Sequence, residues 1–469
     1  MKNMKKIIKN GTVVSDTECI KADVLIEDEL IKAVEPGINA DDAEFIDANG
    51  KYILPGAIDV HTHMDLDVGF DRACDDFYNG TVAAACGGTT TIIDHMAFGP
   101  KGCYPWHQVE EYHKLADGNA VIDYGFHGVL QEKADERTLS EIKEISEKEG
   151  ITSFKLYLTY DSMLHDKDVF AVLNEAKKDD VLITVHCEND GMVNFLREKF
   201  GNEGKLTPKY HPLSRPAEAE AEAINRLLYL AECADEAPVY VVHLSSKAGL
   251  DEIITAKKRG RKHFGVETCP QYLLLEDDLY EDPREGLKAI MSPPLRKESD
   301  RNALWDALSN DILDTVATDH CPFTFEKQKQ RGASDFRMCP NGAPGVEERL
   351  ILLFSEGYGK GRLTLPQVVK YACTNPAKIF GLYPKKGVIK PSADADILII
   401  DPDKKHTLTH ADMHGNSDYT CYEGFEIKGM IETVMQRGRI IVKDNKFLGS
   451  KGDGHYLKRE KSSVCRPES

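Results

Sequence analysis

A chain of 469 residues carrying a formal charge of −19 is long enough for one large domain and a smaller one, and its acidity disfavours non-specific binding to nucleic acid or anionic lipid. Apolar and charged fractions of 41% and 29% exclude a disordered or fibrous chain. No run is long enough to span a bilayer, and twelve cysteines without a C-x-x-C pair fit reduced thiols in the cytoplasm better than a disulfide framework.

The start is basic, but no long apolar core follows Met1–Lys6, so no signal peptide is expected. Short strands follow at residues 6–8, 12–14, 22–26 and 31–34, punctuated by Gly11 and Pro36-Gly37. The same texture returns at 395–400, 431–435 and 439–442. Neither group makes a sandwich alone, so residues 1–55 and 391–449 are expected to pair into one small β-sandwich domain.

Residues 56–390 change texture. Buried strands are predicted at the segment carrying His61 and at 90–94, 122–126, 153–158, 181–185, 239–243, 264–268 and 314–318. Helical patterns at 139–149, 168–178, 217–232 and 248–259 lie between them. Eight such units over roughly three hundred residues meet the requirement of a (β/α)8 TIM-like barrel. A doubly wound open sheet is the alternative, but no G-x-G-x-x-G follows the first strand. The polar tail, 450–469, is expected to extend over the surface or a neighbouring subunit.

Asp59-Val60-His61-Thr62-His63 places two imidazoles on one face of a strand, since side chains alternate. Imidazole suits zinc-like metals, although two polar residues ending a strand are unremarkable by themselves. His186, His243 and Asp319 each end a later predicted strand. Singly, each reads as a hydrogen-bonded structural residue; together they converge with His61 and His63 on the rim where barrel active sites form. Lys155 sits inside Ser153-Phe154-Lys155-Leu156-Tyr157-Leu158, where an ammonium either loses its hydration or reaches solvent at the rim. Beside two dications a positive head group is also repelled. Reaction with carbon dioxide resolves both difficulties, because the carbamate is an anionic ligand able to bridge two ions.

This set, in this order, resembles the cyclic amidohydrolases of the amidohydrolase superfamily. Neighbouring motifs narrow the resemblance to the hydantoinase and dihydropyrimidinase group: His61-Thr62-His63-Met64-Asp65, Gly87-Gly88-Thr89-Thr90-Thr91-Ile92-Ile93-Asp94, Glu267-Thr268-Cys269-Pro270-Gln271-Tyr272, Ser292-Pro293-Pro294-Leu295-Arg296 and Ala317-Thr318-Asp319-His320. Asp67-Val68-Gly69-Phe70 and Ile92-Ile93-Asp94-His95-Met96 are most similar to the phenylhydantoinase branch. The resemblance implies two divalent ions per subunit, zinc by preference. His61 and His63 would hold the more buried ion and His186 and His243 the more exposed one. Carboxylated Lys155 would bridge the two ions. Asp319 would complete the first site and shuttle the proton. Tyr160 is implied as an oxyanion donor, and Ser292 and Asn341 as holders of the cyclic imide. Strict alternation puts Tyr160 on the face opposite Lys155, so its role requires the chain to have left the strand by then. The plainer alternatives are a rim aromatic for Tyr160 and turn residues for Ser292 and Asn341.

The chemistry implied is ring opening: hydroxide attacks the carbonyl next to the substituted carbon, Asp319 carries the proton to the departing nitrogen, and an N-carbamoyl amino acid results. The expected substrate is a 5-monosubstituted hydantoin with an aryl or alkyl arm, in the D-form. Leu66, Val68, Phe70, Tyr157 and Leu164 are candidate contacts for that arm, and Asp65, Asp67 and Asp71 should disfavour an anionic one. Dihydroorotase-like relatives typically carry an arginine two residues past the second histidine; Asp65 stands there. Dihydropyrimidinase is the close alternative. A scaffold of the collapsin response mediator type is the distant one, opposed by the complete ligand set. The resemblance also implies a homotetramer or homodimer.

Overall fold

The computed structural model describes residues 5–40 and 42–466; Met1–Met4, Asp41 and the last three residues of the tail lie outside the described residues. Eight parallel strands, each hydrogen-bonded to the next, form one sheet: β1 (Ala57–Thr62), β2 (Thr89–His95), β3 (Asp123–Val129), β4 (Ser153–Tyr157), β5 (Leu182–His186), β6 (Val239–Val241), β7 (Phe264–Thr268) and β8 (Thr315–Val316). The two edges meet. His63 N donates to His320 O at 2.9 Å, and Thr62 and His320 form a parallel bridge. The barrel predicted from the alternation of strands and helices is therefore present. Its strands read as unbroken apolar runs because helices cover one face and the barrel interior the other: every residue of β1, β2, β3, β5 and β7 is buried.

Arg349 holds the seam between first and last strands. Its Nη1 donates to Ile58 O and Val316 O, both at 2.9 Å, and Nη2 to Thr89 Oγ1 at 3.1 Å. The fully buried guanidinium lies 3.6 Å from the equally buried Asp59. That charge stays compensated by Asp59 and by the carbonyls and hydroxyl that receive its Nη donors, while Nε has no hydrogen-bond partner.

Short loops bring the helices close to the strand ends. Asn189, three residues past His186, caps the helix Asp190–Asn202 by accepting from Met192 N; Ser246, three past His243, caps Lys247–Lys258 from Gly249 N. The predicted helix at 248–259 differs from Lys247–Lys258 by one residue at each end, and that at 217–232 becomes Ala217–Cys233.

Strands from the two ends of the chain share a second structure. Tyr52–Pro55 runs antiparallel to Ile397–Ile400 within a seven-stranded sheet, facing a four-stranded sheet of Lys5–Lys9, Asp23–Glu27, Leu30–Glu35 and Glu44–Asp47. Ile8, Val24, Ile31, Ile53, Ile397 and Met435 fill the space between them. Beneath the barrel, Lys386 donates to Asp123 and Asp396 at 2.6 Å each and lies 3.0 Å from Asp394. Its ammonium bridges the three carboxylates, with Arg437 also paired to Asp123, and ties this sandwich to the barrel floor.

The tail runs over the barrel with Lys451, His455, Lys458, Glu460 and Arg466 exposed, yet it is anchored more firmly than a polar segment suggests: Leu457 N donates to Tyr124 O at 2.7 Å, and buried Arg459 donates to Phe126 O at 2.6 Å and Ser153 Oγ at 2.8 Å. Its polar composition concealed this, because an arginine can close a barrel end when backbone carbonyls receive its donors.

Candidate metal centre and cavity

His61 and His63 stand where β1 ends, His186 ends β5, and His243 and Asp319 lie two and three residues past the ends of β6 and β8. All five, with Lys155 of β4, line one cavity of about 1110 Å³ at the C-terminal end of the barrel. His63 Nε2 lies 3.1 Å from Asp319 Oδ1, and His61 Nε2 is equally far from the same oxygen. His186 Nδ1 and His243 Nε2 are 2.9 Å apart. All four rings are buried, at most 7% exposed.

The second nitrogen of two of these rings is already engaged, which decides which atom is left for an ion. His61 Nδ1 lies 2.6 Å from Glu267 Oε1, leaving Nε2 facing Asp319; His186 Nε2 lies 2.8 Å from Glu188 Oε2, leaving Nδ1 facing His243. His61 Nε2, His63 Nδ1 and His243 Nδ1 are buried without hydrogen-bond partners. Two pairs of ring nitrogens, one pair with a shared carboxylate and each with a carboxylate behind it, suit divalent ions of the zinc type. His61, His63 and the buried His95 also place one nitrogen each within 4.8 Å of one another.

Electrostatics agree with that donor set. Burial opposes charge on His61, but Glu267 and then Asp319 outweigh it and raise the ring above its usual value. Burial pushes His63 down to about 4. Burial, His186 and Lys155 together hold His243 well below the ordinary range. Asp319 is buried, which alone would raise it, yet His61, His63 and His243 keep its carboxyl well below the carboxylate range. Lys155 is fully enclosed, and desolvation lowers its amine to about 8.

Tyr160 meets the condition set by strand alternation. β4 ends at Tyr157, and Tyr160 adopts φ +79°, so the chain has left the strand and the ring returns to within 5.2 Å of the His186 ring. Burial raises its hydroxyl to about 12, with Arg215 opposing. Ser292 and Asn341 both line the cavity, and the Ser292 hydroxyl has no partner. Lys329 links their loops: its buried Nζ donates to Ile290 O at 2.7 Å and Pro340 O at 3.0 Å.

Two expectations about the cavity wall are corrected. Leu66, Val68, Phe70 and Tyr157 do line it, but Leu164 is packed in the core, where its N donates to Tyr157 O. Asp65, Asp67 and Asp71 are not a bare acidic wall, because two arginines offset two of their three charges. Arg72 lies 3.7 Å from Asp65 and 3.2 Å from Asp67, and Arg331 lies 3.0 Å from Asp71. Both arginines were in plain view; only the folded loops bring them to those carboxylates.

Glu267, Glu188, Arg215 and His95 escaped the sequence reading. Glu267 occurs in a quoted motif but carries no sign of being a ligand's partner, since 206 residues separate it from His61. His95 offered the same signal as the other histidines, the end of a buried strand. Its ring lies 4.3 Å from that of His61 and 4.1 Å from that of His127, and neither of its nitrogens has a partner.

The chain belongs to the amidohydrolase family, whose profile matches residues 52–441. It is 47% identical to the D-phenylhydantoinase of Escherichia coli (strain K12) over 458 residues, 97% of this chain and 98% of that relative. Among solved structures, a dihydropyrimidinase from Brevibacillus agri NCHU1002 superposes with a TM-score of 0.95 at 42% identity, covering 98% of this chain and 99% of the other. A D-hydantoinase from a Bacillus sp. AR9 has the same score and identity, covering 97% and 99%. A barrel enzyme that hydrolyses amide-like bonds is thus the class that fold, site and relatives agree on.

Proposed function

We propose that the protein hydrolyses the ring of a 5-monosubstituted hydantoin, in the D-form, to an N-carbamoyl amino acid. The observation that carries this reading is the convergence of four histidines, Asp319 and an enclosed lysine at the floor of one cavity, in a chain whose relatives are named D-phenylhydantoinase and D-hydantoinase. Dihydropyrimidinase is kept as a second reading because one structural neighbour bears that name.

His61, His63 and Asp319 would hold one divalent ion, and His186 and His243 the other, with zinc favoured by the nitrogen-rich donor set. When bound, such ions lower the pKa of water and polarise a carbonyl. Lys155 has no carboxylate within salt-bridge distance among the described residues, and its depressed amine supports the carbamate reading: the nitrogen would add to carbon dioxide, release a proton and present an anionic oxygen pair to the ion sites. Asp319, kept ionised, accepts a proton from the attacking water and delivers it to the ring nitrogen as the carbon–nitrogen bond breaks. Tyr160 stays protonated across the physiological range and donates to the carbonyl oxygen as charge develops there. Ser292 and Asn341 orient the imide. The twelve cysteines, all free, support a cytoplasmic location, and assembly as a homotetramer rests on family resemblance.

Steady-state rates of the metal-loaded protein on 5-phenylhydantoin and dihydrouracil, with the product identified by mass spectrometry, test the reading. Ring opening with hydantoin preferred supports it; inertness toward both rings refutes it. Intact-mass analysis under native conditions tests the carbamate separately.

A further inference from the structure

Six lysine and arginine side chains line the cavity, and four of them are neutralised. Arg72 faces Asp65 and Asp67, Lys114 faces Glu111 at 2.6 Å, Arg215 is paired with Glu188, and Arg337 faces Asp335 at 2.6 Å. Of these six, only Lys155 and Arg197 lack a carboxylate within salt-bridge distance among the described residues. Carbamate formation accounts for Lys155. Nothing in the ring-opening chemistry accounts for Arg197.

Arg197 lies on the helix Asp190–Asn202, whose start follows the His186 strand end after a three-residue loop. Asn194, one turn earlier, lines the cavity with it. The guanidinium sits 5.9 Å from the Phe336 ring centroid, and its Nη2 donates to Arg337 O at 3.2 Å. Those contacts fix the side chain's position while meeting little of its donor capacity, and burial leaves the charge poorly hydrated. Desolvation, with Arg215 nearby, lowers it to about 10, so it remains cationic at neutral pH. A fixed, partly dry, unpaired guanidinium in a cavity also lined by the apolar Leu66, Val68 and Phe70 is suited to receive a planar anion on a short stem.

We propose that the arm on ring carbon five of the preferred substrate ends in a carboxylate, and that Arg197 is the specificity-determining residue that receives it. The inference rests on the ring-opening reading and names the substrate class within it. Arg72 and Arg331 offset two of the three charges on Asp65, Asp67 and Asp71 that stood against an anionic arm, and Arg197 supplies an attraction that the acidic loop does not cancel by contact.

The test compares 5-(2-carboxyethyl)hydantoin with 5-(2-carbamoylethyl)hydantoin, equal in shape and different in charge, using the metal-loaded protein. A charge-assisted contact predicts that kcat/KM for the acid exceeds that for the amide by about tenfold or more. In Arg197→Gln that ratio falls toward one, and in Arg197→Lys it is intermediate. Each ratio is taken within one protein, so losses of metal or of folded fraction in a variant cancel. A wild-type ratio at or below one, or a ratio unchanged in Arg197→Gln, overturns the assignment while turnover of 5-phenylhydantoin leaves the ring-opening reading standing. Inertness toward every ring overturns both.

Discussion

Glu267 Oε1 lies 2.6 Å from His61 Nδ1, with both side chains fully buried. The same carboxylate oxygen accepts from His243 N at 3.0 Å, and Oε2 accepts from the Tyr240 hydroxyl at 3.1 Å. One residue of β7 thus orients a ligand from each of the two proposed ion sites. A carboxylate behind an imidazole fixes its tautomer and raises its basicity.

Glu267→Gln should therefore weaken metal binding by about 10- to 100-fold with the barrel intact. Competition against a chromogenic chelator, with circular dichroism as the control for folding, measures it. An unchanged affinity would mean that Glu267 only braces the strands.

Asp319→Asn keeps the shape and removes the charge and the proton-accepting oxygen. Turnover should fall by about 100- to 10,000-fold, beyond what any loss of metal explains, as judged by rates normalised to ion content. Activity near wild type would remove Asp319 from the proton path.

Lys329→Met deletes the ammonium that spans Ile290 O and Pro340 O while nearly keeping the volume. Pro340 O is then left without its main donor, at a cost of about 1–3 kcal/mol in stability. Because the loops bearing Ser292 and Asn341 lose their tie, KM should rise more than kcat falls. Denaturant midpoints and steady-state kinetics on one preparation give both numbers.

A pH effect is expected away from the metal centre. Burial raises Glu347 from 4.5 to about 6, with His414 Nδ1 lying 2.6 Å from Oε1, and His414 is raised by the same contact. A carboxyl that holds its proton more tightly when folded costs nothing below 4.5, and its penalty grows as pH rises through about 6. The stabilisation from charged His414 is present below 6.5 and is lost as pH rises through its higher folded value. Both effects make wild-type stability fall with rising pH in this window. Relative to wild type, Glu347→Gln should gain about 2 kcal/mol between pH 4.5 and pH 7. Parallel denaturant titrations at the two pH values follow the difference; a constant difference would show that the pair does not titrate there.

Much of the barrel and of the cluster of candidate ligands could be read along the chain because each signal is local. A buried parallel strand is an apolar run, and His61, His186, His243 and Asp319 announce themselves by falling at or just past such runs. Lys155 stands out for the opposite reason, as a charge inside one. Tyr160 needed only the inference that the strand stops early, and β4 does stop at Tyr157.

What stayed hidden depends on pairs far apart in sequence. Arg349 closes the seam 291 residues from Ile58, and Arg459 reaches Ser153 from a distance of 306 residues, so neither residue type nor spacing betrays its role. The amino-acid order by itself determined the strands, their helices and the residues able to bind an ion, since periodicity and strand ends are properties of short segments. Only the tertiary structure decided which charges cancel. It set Arg72 and Arg331 against Asp65, Asp67 and Asp71 and left Arg197 without a carboxylate, because a Coulombic partnership is set by distances of a few ångströms that the chain does not possess until it is folded.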